Sequence, residues 1–234
     1  MTRRNPISTA VQRVPFTLIE LLTVMVIAAI LLAVTVPVIV KITSGSSVEA
    51  GARMVGAQLR LARQEAITKR KYVAVLFPTV NSGTDAVAWV GFRPCIVIND
   101  SGIWRFDKWV ENVPWSYVPT GAVMAEADDD FTSGTPPQPD LLDGTTTTVS
   151  PPNPVPTPNP FGFTGAVRAV VFRPAGRLAS GTQRGVTLVE GAIVPGTSSF
   201  DPANPANVRN RSNWINIKVN QFTGRVSFGR PENP

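Results

Sequence analysis

The sequence contains no histidine and a single cysteine among its 234 residues. Without histidine the chain has no imidazole base and no histidine-ligated zinc. Cys95 has no second cysteine for an internal disulfide, and its strand-rich surroundings predict a small core residue rather than a nucleophile. A glycine-rich phosphate-binding loop is also absent. These absences argue against an enzyme and against a bound cofactor or metal.

Charged residues are also sparse, at 16% of the chain, with a formal net charge of +6. Three of the positive charges are Arg3, Arg4 and Arg13, so the chain beyond residue 15 carries 6 − 3 = +3. An excess this small does not by itself predict nucleic-acid binding.

The sequence does contain one long apolar run, from Phe16 to Val36, in which Glu20 is the only charged residue. Twenty uncharged residues separate Glu20 from Lys41. At about 1.5 Å per residue, a helix of that length covers roughly 30 Å, the thickness of a bilayer core. The arginines that precede the run place the N-terminus in the cytoplasm, and no Ala-x-Ala cleavage pattern follows it. A carboxylate within such a span costs about 2.5–3.5 kcal/mol, so we expect Glu20 to have a function.

The stretch Pro15-Phe-Thr-Leu-Ile-Glu-Leu-Leu22 resembles the class III signal of type IV pilins and type II secretion pseudopilins. The resemblance implies that a prepilin peptidase/methyltransferase cuts between Pro15 and Phe16 and methylates Phe16. Where this chain has Pro15, the family usually has glycine. The resemblance further implies that Glu20 pairs with the α-amino group of a neighbouring subunit during filament assembly, and that Pro37 perturbs the helix. The alternative is a stand-alone signal anchor with Glu20 among the lipid headgroups.

Beyond the span, the sequence predicts a short flexible break at residues 43–46 and then an amphipathic helix with basic, solvated outer faces. The run Leu59–Ile67 resembles the Leu-x-x-Ala-Arg-x-Glu-Ala-Ile run of the GspH/FimT branch of pseudopilins. The apolar seam of the helix consists of Val48, Ala52, Val55, Leu59, Ala62 and Ala66.

From Tyr72 onward the hydrophobic pattern is that of β-strands, with a hairpin around residues 221–224. The stretches 171–176 and 223–226 again resemble the GspH/FimT domain. The implied fold class is α+β, a pilin-like lollipop whose long N-terminal helix has a membrane half and an amphipathic half packed on an antiparallel β-sheet. Strands are predicted at 72–77, 86–92, 96–98, 103–110, 166–172, 186–189, 214–219 and 225–228.

Two proline-rich stretches, 126–160 and 195–212, are predicted to be exposed insertions because they hold too little apolar surface to join a core. The predicted organisation is a leader peptide at 1–15, a transmembrane and filament-core helix at 16–42, and a globular domain at 47–234 with a flexible insertion at 126–160. For the aspartates of the first stretch, a solvated loop is favoured over a calcium site, because their spacing fits no EF-hand. They are Asp128, Asp129, Asp130, Asp140 and Asp143.

The resemblance implies a non-catalytic minor pseudopilin, single-pass in the inner membrane with a periplasmic C-terminal domain, that joins a filament. Its implied partners are the prepilin peptidase/methyltransferase, other pilin or pseudopilin subunits, the inner-membrane assembly platform and the lipid bilayer. The filament is a type II secretion pseudopilus that drives protein export; the alternative is a type IV pilus, with a role in pilus priming or DNA uptake. A DNA-uptake subunit could contact phosphates through Arg225 and Arg230, although solvated arginines on an edge hairpin are favoured.

Overall fold

The computed structural model describes residues 17–78, 87–125, 147–180, 184–192 and 208–229, with side chains described except at 33–45, 125, 184 and 208–212. The chain divides into two compact units, Met1–Ile42 and Thr43–Pro234. Helix α1 is Leu18–Lys69. The strands within the described ranges are β1 Tyr72–Phe77, β2 Gly91–Asp100, β3 Ile103–Trp109, β4 Ser116–Tyr117, β5 Ala122–Ala125, β6 Thr148–Ser150, β7 Val167–Phe172, β8 Arg184–Gly191, β9 Val208–Val219 and β10 Val226–Gly229.

Helix α1 runs without interruption through residues 43–46, so the predicted break is wrong. A glycine inside a helix costs only about 1 kcal/mol relative to alanine, and serine costs less. The segment is followed at once by Ser47 and Val48, which are 7% and 0% exposed. Anchoring of the next turn in the core offsets the weak propensity of Thr43-Ser-Gly-Ser46.

The predicted seam of α1 is confirmed, because every residue from Val48 to Ala66 in that set is at most 2% exposed. The seam packs in one core with residues from both sheets of the structure. These sheet residues include Val73, Val75 and Phe77 of β1, Val170 and Phe172 of β7, and Val186, Leu188, Ile215 and Ile217 of β8 and β9.

The larger sheet closes on itself. Its strand order is β1-β7-β6-β3-β2-β4, and β1 also pairs with β2, so five strands form a ring to which β4 is attached. Because side chains alternate along a strand, the residues of β1 that do not face α1 point into this ring. The ring therefore holds a second core, which consists of Ala74, Leu76, Cys95, Val97, Phe106, Val149, Phe161, Phe163, Val167, Ala169 and Val171.

The smaller sheet has the order β10-β9-β8-β5 and is antiparallel throughout. The predicted hairpin is confirmed: β9 and β10 pair antiparallel around residues 220–225. A long helix combined with antiparallel strands is the α+β class that the sequence predicts, with one short parallel pair, β3 with β6.

Residues 87–90 form a turn, so the predicted strand at 86–92 is wrong before Gly91. Trp89 has a φ of 63°, which a strand does not accommodate. Its backbone N–H donates to the carbonyl oxygen of Pro78 at 2.9 Å. The N–H of Gly91 donates to the carbonyl oxygen of Val87 at 2.8 Å. These hydrogen bonds close a tight turn that leads directly into β2.

The predicted insertions are also shorter than expected. Strand β6 lies within the first of them and pairs with both β3 and β7, because the buried Val149 completes the core of the ring. The indole N–H of Trp109 donates to the carbonyl oxygen of Pro160 at 2.9 Å, which attaches the end of the same stretch. Residues 208–212 belong to β9 rather than to a loop. Residues 126–146 and 193–207 lie outside the described part of the chain.

Candidate assembly and binding surfaces

The first four turns of α1 carry apolar side chains in every direction. Leu18, Ile27 and Leu32 are 83%, 57% and 62% exposed, and the large apolar residues between them are all at least half exposed. A helix that is apolar all round needs an apolar environment, such as lipid or other helices. Within the described residues, no helical segment is both long enough and apolar enough to cross a membrane.

The N-terminus of α1 is capped by its own sequence. The backbone N–H of Glu20 donates to Thr17 Oγ1 at 3.3 Å and to the Thr17 carbonyl oxygen at 3.1 Å. Thr17 is therefore the N-cap, and Glu20 is the third helical residue, where a carboxylate also complements the helix dipole. The Thr-x-x-Glu spacing of a capping box is a sequence signal for this role, which the membrane-span reasoning missed.

The other predicted assembly residues are only partly placed. Pro15 and Phe16 lie outside the described residues, and Pro37 lies inside the continuous helix α1, with its side chain not described. Glu20 is exposed on the first turn of α1, where Leu18 and Leu21 are exposed as well. The first four turns of α1 thus carry a single carboxylate among exposed apolar side chains.

Arg63 joins the three stretches that resemble the GspH/FimT domain. Its Nε donates to the carbonyl oxygen of Gly176 at 2.9 Å, from α1 to the turn after β7. Gly176 and Gly224 have φ values of 77° and 63°, and an added Cβ on Gly224 would lie 2.0 Å from the Gly176 oxygen. Both positions therefore need glycine. Arg63 is half-buried, so the prediction that the helix arginines are solvated is wrong for this residue.

A basic cleft of about 200 Å³ lies beside the β9–β10 hairpin. Phe222 at the hairpin tip is 74% exposed. Arg225, one of the two arginines considered for DNA contact, is exposed at the end of the same turn, whereas Arg230 lies outside the described residues. The cleft is lined by Arg173, Arg177, Leu178, Ser180, Gln221 and Phe222.

Cys95 is a core residue, as predicted, since it is 0% exposed inside the ring. Burial raises the pKa of its thiol, so the nucleophilic thiolate does not form at neutral pH. In the ranges that the structure describes, no three Cys, Asp or Glu side chains are grouped as metal ligands. The five aspartates considered for calcium lie outside those ranges.

The described chain thus has an apolar first stretch of helix α1 and a globular unit in which the later part of α1 packs on antiparallel strands. Residues 52–209 match the family described as Type II transport protein GspH, which is more than half of the chain. The protein belongs to this GspH family. The matched range includes both Arg63 and Gly176.

The solved structures that match this chain include the type IV minor pilin FimU of Pseudomonas aeruginosa, with 13% identity and a TM-score of 0.40 over 80% of this chain and 92% of that one. The minor pseudopilin EpsH of the type 2 secretion system of Vibrio cholerae also matches, with 13% identity and a TM-score of 0.38 over 80% of this chain and 99% of that one. A comparison with curated proteins gives no match.

Proposed function

We propose that the protein is a non-catalytic minor pseudopilin of a type II secretion pseudopilus, a filament that drives protein export from the periplasm. The observation that carries the proposal is the start of α1, which is apolar on every side and bears the exposed Glu20, in a chain of the GspH family. Such a helix is stable in lipid before assembly and among other helices after it.

In this proposal the prepilin peptidase/methyltransferase cuts after Pro15, and the new α-amino group of Phe16 becomes the partner of Glu20 in an adjacent subunit. At about 4 Å and an effective dielectric near 20, the attraction is of order 4 kcal/mol before desolvation. Because desolvation offsets much of this attraction, the pair sets the axial register of the helices more than it adds net stability.

The proposed location is the inner membrane, crossed once by residues 16–42, with the globular unit in the periplasm. The arginines at positions 3, 4 and 13 support this orientation, because basic residues remain on the cytoplasmic side. The partners are then the peptidase, the inner-membrane assembly platform, the lipid bilayer and other pilin or pseudopilin subunits.

Intact-mass measurement of the protein from its own host tests the processing. We expect a chain that begins at Phe16 and carries one N-methyl group. Recovery of the full precursor alone would overturn the proposal.

A second experiment tests Glu20 in the filament. Glu20→Gln keeps the size of the side chain and its place in the helix but removes the charge, so we expect membrane insertion to be retained and cross-linking into filaments to be lost. Thr23→Val is the matched control on the next turn, where the hydroxyl donates only to the carbonyl oxygens of Ile19 and Glu20. Normal incorporation of Glu20→Gln would refute the register role.

The basic cleft supports a second candidate, a minor type IV pilin that takes part in pilus priming or DNA uptake. Arg173 and Arg177 line the cleft beside the exposed ring of Phe222, and arginine next to an aromatic side chain suits phosphate and base contacts. If Arg225 contributes one phosphate contact, Arg225→Ala should lower the log–log salt slope of duplex binding by about 0.9. Fluorescence anisotropy with duplex DNA at about 150 mM salt distinguishes the two candidates. The weak net charge predicts no binding at this salt concentration, and binding that Arg225→Ala weakens would favour the second candidate.

A further inference from the structure

Among the described strands, β10 is an edge strand of the smaller sheet. In the ring each strand has a neighbour on either side, and at the far edge of the smaller sheet the N–H of Met124 in β5 donates to the carbonyl oxygen of Trp89 at 2.9 Å. Strand β10 pairs with β9 on one side, and no strand among the described residues lies on its other side. Proteins usually cover or blunt a free edge, because it offers hydrogen bonds to an added strand.

An apolar notch of about 190 Å³ lies next to this edge, between α1 and the smaller sheet. Phe228 of β10 forms one wall and is 44% exposed, although its ring lies against α1, where a Cβ on Gly56 would be 2.5 Å from Phe228 Cζ. Ala52 and Ile215 line the notch with it. An apolar cavity of about 150 Å³ holds a benzene molecule, so the notch has room for one aromatic ring.

The rim of the notch carries two arginines, Arg53 and Arg60, and one carboxylate, Glu49, so it has an excess of one positive charge. The guanidinium carbon of Arg60 lies 5.4 Å from the centroid of the Phe228 ring. The Arg53 side chain is 75% exposed even though its Nη2 is 2.6 Å from Glu49 Oε1. The complementary ligand is an extended segment that carries carboxylates beside one aromatic side chain.

We propose that the segment Glu126-Ala-Asp-Asp-Asp-Phe131 of a second copy of this chain binds here, adding a strand to β10 and placing Phe131 in the notch. Residues 126–131 lie outside the described part of the chain, so only their sequence supports the match. It has four carboxylates in five residues, followed by phenylalanine. The inference rests on the proposed filament function and adds a contact between globular units. Because donor and acceptor are different surfaces, the contact is heterologous and extends a row of subunits.

The first test uses the full chain in detergent micelles and a fluorescein-labelled synthetic peptide of residues 124–133. We expect saturable anisotropy that weakens as salt rises, and at least a tenfold loss of affinity for Phe228→Ala. The matched control is Tyr117→Ala, an aromatic side chain of similar exposure, 47%, on strand β4. A peptide with Phe131→Ala, measured against the unchanged protein, should lose affinity to the same extent. Equal binding of the two peptides would overturn the proposal even if Phe228→Ala failed to fold.

The second test asks whether the segment comes from another copy. Two differently tagged chains, one with Ser227→Cys and one with Ser133→Cys, both on a Cys95→Ala background, should form a doubly tagged disulfide product when mixed. Ser101→Cys in the turn between β2 and β3 replaces Ser227→Cys in the control pair. No product above this control would overturn the proposal. A third chain that carries both Ser227→Cys and Ser133→Cys tests the alternative, and a disulfide that forms only within that chain would also overturn the proposal. Normal processing and filament incorporation alongside that result would leave the proposed function standing.

Discussion

The contact between Arg63, Gly176 and Gly224 gives the sharpest prediction about stability. Gly224→Ala places a methyl group at a φ of 63°, where the left-handed conformation costs an L-residue about 1–2 kcal/mol. The new Cβ would also lie 2.0 Å from the Gly176 oxygen and 3.0 Å from Arg63 Nε, so the turn has to shift. Loss of the Arg63 hydrogen bond adds about 1.5–3 kcal/mol, because its donor is charged. We therefore expect a total loss of about 2.5–5 kcal/mol.

Urea unfolding followed by tryptophan fluorescence measures this loss. With a slope of about 2 kcal/mol per molar urea, the midpoint should fall by about 1.25–2.5 M. Gly102→Ala is the matched control, because it has a φ of 92° but no atom within 4 Å of the added Cβ. It should lose only the conformational part, about 1–2 kcal/mol. Equal midpoints for the two variants would refute the packing argument.

Three further outcomes follow from the two cores. Leu59→Ala, in the fully buried seam, should destabilise the protein by about 2–5 kcal/mol, whereas Leu61→Ala, at a position 37% exposed, should change it by about 0.5 kcal/mol or less in the same urea assay. Burial raises the pKa of the Cys95 thiol, so above the unfolded pKa of about 8.5 the unfolded chain loses a proton that the folded chain keeps. Relative to Cys95→Ala, the free energy of unfolding should then fall by about 1.4 kcal/mol per pH unit. Native protein at pH 7 should also leave a thiol reagent unreacted until urea exposes Cys95.

The helix seam and the central strands could be predicted because their signals are local and periodic. Val48 to Ala66 repeat at helical spacing, and β1 is an uninterrupted apolar run with the same bounds in sequence and structure. Cys95 also lies in a core, as its strand-rich surroundings predict. In each of these cases the pattern directly reflects burial on one or both faces.

The remaining features depend on partners that are distant in sequence. Strand β6 is three residues long and exists because β3 and β7 pair with it from either side. The Arg63 contact spans 113 positions, so a solvated arginine was the reasonable expectation from the helix alone. At Trp89 an apolar run that reads as strand forms a turn instead, because tertiary hydrogen bonds override β-propensity.

The closed ring bears on how a subunit responds to tension. Strands β1 and β7 serve two cores at once, with one set of side chains against α1 and the alternate set inside the ring. A pull transmitted along α1 is borne first by the seam from Val48 to Ala66, where only side-chain packing and a few polar contacts such as that of Arg63 resist it. Each strand of the ring is hydrogen-bonded to a neighbouring strand on either side, and none of these pairings involves α1. We therefore expect the contact between α1 and the sheets to open before the ring does, which leaves a strained subunit with a folded ring on which α1 can pack again.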